Sequence, residues 1–134
     1  MSNELARVFR LTGRRFNKVL REQGLSSVQA HILVLLWVEG PMTIGELGRE
    51  LCFKSSTLTG AIDRMEKSEL LRRRPVPGDR RAYLLEPVKW PAARRQRIID
   101  AILDTEAECY AALNAREKRE LLRLLGKVSG GLAG

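Results

Sequence analysis

Residues 43–87 constrain the fold more than any other part of the chain. Thr43-Ile44-Gly45-Glu46 has the form of a capping box, a hydroxyl at the cap and a carboxylate three residues on. It predicts a short helix to about Leu51, with Ile44, Leu47 and Leu51 turned inward. A turn around Cys52-Phe53-Lys54 follows, and Ser55 is placed to cap a second helix whose buried stripe is Leu58, Ile62 and Met65. The opposite face of that helix shows Ser56, Gly60, Asp63 and Lys67, flanked by Thr57, Thr59 and Arg64. Two short extended segments, 70–74 and 82–86, then enclose a loop at 75–81 that carries Pro77-Gly78-Asp79-Arg80-Arg81.

This order of parts suits a protein that pushes one helix into a DNA major groove while a hairpin arginine reaches the adjacent minor groove. Small hydroxyl side chains and a glycine permit close approach to base edges and phosphates, and the capped helix and short turn before them have helix-turn-helix spacing. The expected contacts with double-stranded DNA are Ser55, Ser56, Thr57, Thr59, Gly60 and Arg64 on the helix. On the hairpin they are Arg72, Arg73, Arg74, Asp79, Arg80 and Arg81. The competing reading of the same face is an ordinary solvated helix. Arg64 is suited to bidentate guanine or phosphate recognition, against which stands a salt bridge to Asp63 or Asp79. Phosphate contact is expected for the run Arg72-Arg73-Arg74, with at least one of the three simply solvated; such contacts give salt-sensitive affinity rather than sequence choice.

Charge agrees with a polyanionic partner. The chain of 134 residues has 24 Lys and Arg against 16 Asp and Glu, a net charge of +8, which by itself does not separate DNA from RNA or anionic lipid. Other classes are excluded more firmly. The longest apolar run, 32–38, is far below the roughly 20 residues that span a bilayer, and no charged-then-apolar leader opens the chain. A soluble, reduced, cytoplasmic protein without membrane contact is expected. One histidine and two cysteines cannot assemble a metal cluster, and no cofactor is expected. Neither a Ser-His-Asp pattern, nor a phosphate-cradling glycine loop, nor a carboxylate pair in an apolar setting occurs, so the chain is not read as an enzyme.

Helices surround the central segment. Leu5, Val8, Phe9, Thr12, Phe16, Val19 and Leu20 share one face of a helix ending near Gly24, with Arg7, Arg10, Arg14, Lys18 and Arg21 on the other, a basic stripe read chiefly as solvated. Ser26 and Gln29 form a capping box for a helix that is apolar nearly all round from Ile32 to Val38 and therefore belongs at the centre of the fold. Pro91 suits the first turn of a long helix with a seam of Ile98, Ile99, Ile102, Leu103, Cys109, Tyr110 and Leu113. Asn114 resets the cap for a last helix striped by Leu121, Leu124, Leu125 and Val128, and the glycine-rich tail 129–134 is expected to fray.

Taken together, Thr43-Ile44-Gly45-Glu46-Leu47-Gly48-Arg49-Glu50-Leu51, Ser56 through Glu66 with its closing Asp63-Arg64-Met65-Glu66, and Pro77-Gly78-Asp79-Arg80-Arg81-Ala82 resemble the MarR family of winged helix-turn-helix transcription factors. The resemblance covers roughly residues 5–128. It implies a mainly α fold, with a dimerisation helix at 1–24, a winged helix-turn-helix DNA-binding unit at 25–89 and dimerisation helices at 90–134. It further implies a homodimer whose two wings spread along a pseudo-palindromic operator, acting on transcription more as a repressor than an activator. Asp79 would orient Arg81 in the minor groove, or else merely support the turn. A small aromatic or phenolic effector would bind between the dimer helices and the DNA-binding lobe, where Phe16 and His31 are the candidate contacts; the alternative for His31 is ordinary packing.

Three departures from the family pattern stand out. Glu69 replaces the usual glycine after the recognition helix, at a cost on the order of 1 kcal/mol if the backbone there is left-handed. Glu86-Pro87-Val88-Lys89-Trp90-Pro91 replaces the usual junction after the wing, with Trp90 suited to fill the space beside the long helix. The segment ahead of the first helix, which often contributes to the dimer, is short. Cys52 has a redox-switch reading and Cys109 an inter-chain disulfide reading, each against the role of a small hydrophobe. The alternative for the whole chain is a winged-helix protein-interaction module that has left DNA, against which Arg80 and Arg81 at the wing tip argue.

Overall fold

The computed structural model describes residues 2–133. The elements run α1 (Ser2–Glu22), α2 (Ser27–Glu39), α3 (Ile44–Leu51), α4 (Ser55–Lys67), β1 (Leu71–Val76), β2 (Asp79–Pro87), α5 (Ala92–Cys109) and α6 (Ala115–Ala133). The fold is mainly α with one two-stranded antiparallel sheet. Helix starts are set by local chemistry. Ser26 and Gln29 close one reciprocal capping box, Thr43 and Glu46 a second, and Asn114 and Glu117 exchange the same pair of bonds ahead of α6. Ser55 departs from expectation: Lys54 is the cap of α4, no side chain bonds its first turn, and Ser55 is already helical. Pro91 likewise stands at the cap of α5 rather than inside its first turn.

The core forms where α2 meets α1, α3, α4 and β2. Ile32, Leu33 and Leu36 of α2, Leu47 of α3, and Leu58, Ala61, Ile62 and Met65 of α4 are buried together with Leu71, Leu85 and Ile98. Each large side chain so buried contributes about 1.5–3 kcal/mol. α2 is less enclosed than its sequence suggests, since Val38 is exposed and Val34 and Leu35 are half-buried along a cavity beside α1.

The sheet is longer than expected and its turn tighter. β1 and β2 pair from Leu71 opposite Pro87 to Val76 opposite Asp79, leaving only Pro77 and Gly78 at the tip, where Gly78 takes a φ of +81°. Pro75 lies opposite Tyr83 inside the ladder, beside a shift of register between Pro75 and Val76. Met42 exchanges two backbone hydrogen bonds with Leu85 (3.2 and 2.7 Å), which ties the base of the hairpin to the chain entering α3. Beyond β2, Trp90 is buried edge-on against Trp37 (5.5 Å between ring centroids), donates its indole N–H to the Leu70 carbonyl, and carries the Arg94 guanidinium 4.3 Å above its ring.

Two helices present apolar surface that none of the described residues covers. The expected stripe of α1 divides: Leu20 is buried, but Leu5, Val8 and Phe9, the last 77% exposed, face outward, as does Leu11 outside that stripe. α6 has no buried residue at all, and Leu122 is 74% exposed. The tail does not fray as expected, because α6 stays helical through Ala133; Gly134 lies outside the described residues.

Candidate nucleic-acid interface

α4 is anchored by Leu58, Ala61, Ile62 and Met65, which turns the other side of the helix outward. Ser55, Ser56, Thr57, Thr59 and Arg64 are all exposed and Gly60 half-buried, so every helix residue expected at the DNA contact lies on an accessible face. With no side chain bonded at the cap, the first-turn N–H groups of α4 are open to an anionic group.

The three consecutive arginines of β1 divide according to the twofold period of a strand. Arg72 and Arg74 share one face and both reach Glu86 across the ladder, at 2.6 and 3.6 Å. Arg73 points the other way and holds two carboxylates of α4, Asp63 at 2.7 Å and Glu66 at 2.9 Å. Its guanidinium pKa is pushed above its ordinary value, first by the hydrogen bond it donates to Asp63, with partial burial opposing and the nearby Glu66 charge reinforcing. Arg73 is thus a clamp between the hairpin and α4. All three arginines have carboxylate partners within the chain, and Arg72 and Arg74 are exposed as well, so the phosphate contacts expected of the run stay a proposal.

The cations left without a carboxylate, among the described residues, include Arg64, Arg80 and Arg81. Arg64 meets neither Asp63 nor Asp79; its guanidinium lies against Gly60 instead. Asp79 acts on Arg81 through the backbone, its Oδ1 accepting the Arg81 N–H at 2.9 Å. This bond fixes where the wing-tip arginine leaves the chain and leaves its guanidinium unpaired. Arg81 also borders a hollow of about 440 Å³ that includes Thr43, Ile44, Ile62, Arg73 and Tyr83.

A separate cavity of about 730 Å³ lies between α1 and α2. Phe16 and His31 both line it, together with Leu20, Val34, Leu35 and Ile102. His31 donates its Nδ1–H to the Ser27 carbonyl at 2.7 Å and sits edge-on to Phe53. Sequence reasoning missed Arg10 and Arg14 here, which it assigned to the solvated stripe although both line the cavity. Their spacing of one helical turn, beside Phe9 and Phe16, was the available signal. It also missed Glu66 and Glu86 as the anchors of the wing arginines. Cys52 is exposed at the end of α3, and Cys109 is half-buried at the end of α5.

A sequence model of the MarR family matches residues 25–83. The chain is 32% identical to the HTH-type transcriptional regulator PecS of Dickeya dadantii over 92% of its own length and 76% of that protein. It is 29% identical to the HTH-type transcriptional regulator MgrA of Staphylococcus aureus, over 84% of this chain and 75% of that one. Among solved structures, a cysteine-to-serine mutant of MarR from E. coli complexed with operator DNA superposes with a TM-score of 0.85 at 25% identity, covering 95% of this chain and 91% of the other. With capped helices, a clamped hairpin and relatives of this length, the chain belongs to the MarR family and is a DNA-binding winged-helix transcriptional regulator.

Proposed function

We propose that this regulator acts as a homodimer that represses transcription by binding a pseudo-palindromic operator, α4 in the major groove and the wing tip in the minor groove. The observation that carries the DNA-reading part is the division of the arginines: those at the base of the wing are matched by carboxylates, whereas Arg64, Arg80 and Arg81 are not. Unmatched cations on a rigid frame favour a polyanion over an acidic protein surface. The operator-bound state of the E. coli MarR neighbour supports the same reading. A homodimer is supported by α6, a helix with no buried residue whose leucines need a second copy to cover them. The cavity between α1 and α2, apolar but bordered by Arg10, Arg14 and His31, suits a small aromatic carboxylate or phenolate that releases the operator.

The test is a titration of the purified protein against duplex DNA from immediately upstream of its own coding sequence, at two salt concentrations, beside a scrambled duplex. Tight binding to the upstream duplex alone, one dimer per duplex, is expected. Equal, salt-labile binding to both duplexes would overturn sequence-specific regulation and favour the protein-interaction alternative. Replacing Arg81 with Ala should cost a few kcal/mol of operator affinity per dimer, roughly one to three per base-reading arginine, while leaving the dimer folded. Adding small aromatic acids to the preformed complex tests release. Repression follows if the upstream promoter fires more strongly when the protein is removed.

A further inference from the structure

Gly60 occupies the interior of α4, a position that disfavours glycine in any helix whose sequence is chosen for stability alone. A Cβ added there would meet three atoms of one group: Arg64 Nη1 at 3.3 Å, Nη2 at 3.8 Å and Cζ at 3.9 Å. The guanidinium therefore lies across the backbone one turn before it, the direction in which helical side chains lean. The other glycines inside helices are different. Gly48 admits Leu58 for packing, Gly45 has a guanidinium atom of Arg49 only at 3.9 Å, and Gly13, Gly126, Gly130 and Gly131 have nothing within 4 Å. The acids beside Arg64 in sequence do not draw it away, because Asp63 and Glu66 are both held by Arg73.

We infer that Gly60 is a positioning residue for Arg64: the missing side chain makes a seat that holds the guanidinium low along the exposed face of α4, fixed for a base edge or phosphate. The inference rests on the proposal that α4 enters the major groove. A planar guanidinium gains discrimination only when its fork is held in one orientation, and a bidentate contact accounts for a large part of the choice at one base pair. A methyl at residue 60 moves that fork by a few tenths of an ångström without threatening the fold, since the atoms displaced are the flexible end of a side chain.

A double-mutant cycle tests this. Wild type, Gly60→Ala, Arg64→Ala and the double variant are titrated against the operator duplex and against duplexes with each base pair replaced in turn. Gly60→Ala is expected to weaken operator binding about tenfold and to flatten preference at the same base pairs that Arg64→Ala flattens. In the Arg64→Ala background the same change should alter affinity less than about twofold. An equal loss in both backgrounds would mean that DNA approaches the helix backbone itself, and would overturn the seat. So would the absence of any loss in the wild-type background. A wild type that cannot tell operator from scrambled duplex would overturn the reading of α4 and the seat with it, whereas failure of the cycle alone leaves that reading intact. Thermal melts confirm that Gly60→Ala is folded; its better helix propensity should raise the midpoint.

Discussion

Replacing Glu69 with glycine should make the protein more stable. Glu69 has a φ of +58°, the left-handed region that costs an L residue about 1–2 kcal/mol. It occupies that region because it closes α4: the Glu69 N–H donates to the Glu66 carbonyl at 3.1 Å and the Leu70 N–H to the Met65 carbonyl at 2.8 Å. That pair of bonds is the Schellman stop, which places glycine where Glu69 stands. The Glu69 side chain is exposed and makes no ion pair among the described residues, so little is lost with it. Glycine gives back about 0.4–1 kcal/mol through the greater freedom of the unfolded chain. The net gain is then roughly 0.5–1 kcal/mol per chain, a rise in Tm of about 2–4 °C. Thermal unfolding by circular dichroism, at one fixed protein concentration because the midpoint of the proposed dimer would depend on it, measures the shift. Glu69→Ala is the control, since it removes the carboxylate but keeps the Cβ. Strain relief is refuted if Glu69→Gly is no more stable than wild type, or if Glu69→Ala gains as much.

Other residues give further outcomes. Arg73→Met keeps the aliphatic stem but frees Asp63 and Glu66. Because those partners are half-exposed, it should cost no more than about 1 kcal/mol of stability while loosening the wing. Operator affinity should fall with the salt slope unchanged, whereas Arg81→Ala should reduce the slope by about one ion per chain; equal slopes for both variants would restore phosphate contact to Arg73. Trp90→Ala should destabilise by about 3–5 kcal/mol, and Trp90→Phe by clearly less. Trp37 and Trp90 are the only tryptophans and touch each other, so intrinsic fluorescence in a denaturant titration reads the same joint. Charging the α6 face with Leu122→Glu and Leu125→Glu together should yield monomers at micromolar concentration in sedimentation equilibrium; a dimer that survives both changes would move the interface elsewhere.

The parts legible in the sequence were those fixed by short-range chemistry. Capping boxes at Ser26, Thr43 and Asn114 depend on groups three residues apart, and the buried stripe Leu58, Ile62, Met65 depends on helical period alone. Ser55 failed as a cap because the direction of the chain there is set upstream, by Cys52 in a left-handed conformation with φ +54°, which brings Lys54 into the extended capping position. Pro75 was expected in the loop at 75–81 but pairs inside the ladder; proline lacks a donor, yet a two-stranded hairpin has outer edges on which no donor is required. The partners of Arg72, Arg73 and Arg74 were partly recoverable, since alternation along a strand must separate the middle arginine from the other two. Which acids receive them depends on register and on the docking of β1 against α4, information that no single segment holds. The apolar stripe of α6 was equally plain, but no described residue of this chain buries it, which a single sequence does not foretell.

If the chain reads an operator as proposed, the arrangement of its charges offers a way for a small basic protein to choose a sequence instead of merely adhering to DNA. Counterion release rewards every exposed arginine alike, so an all-free wing would bind any duplex. Here Glu86 takes up Arg72 and Arg74 within the hairpin, while Asp63 and Glu66 take up Arg73, which fastens hairpin to helix. The cations left over belong to the recognition helix and the wing tip: Arg64 against Gly60, and Arg81 held at its backbone by Asp79. On the proposed reading, non-specific attraction would be reduced at the base of the wing, and the backbone of the wing-tip arginine is already held before any duplex binds. Preorganisation of this kind lowers the ordering cost of binding only for the duplex whose grooves fit, so on the proposed reading it would separate operator from bulk DNA even where the total charge does not.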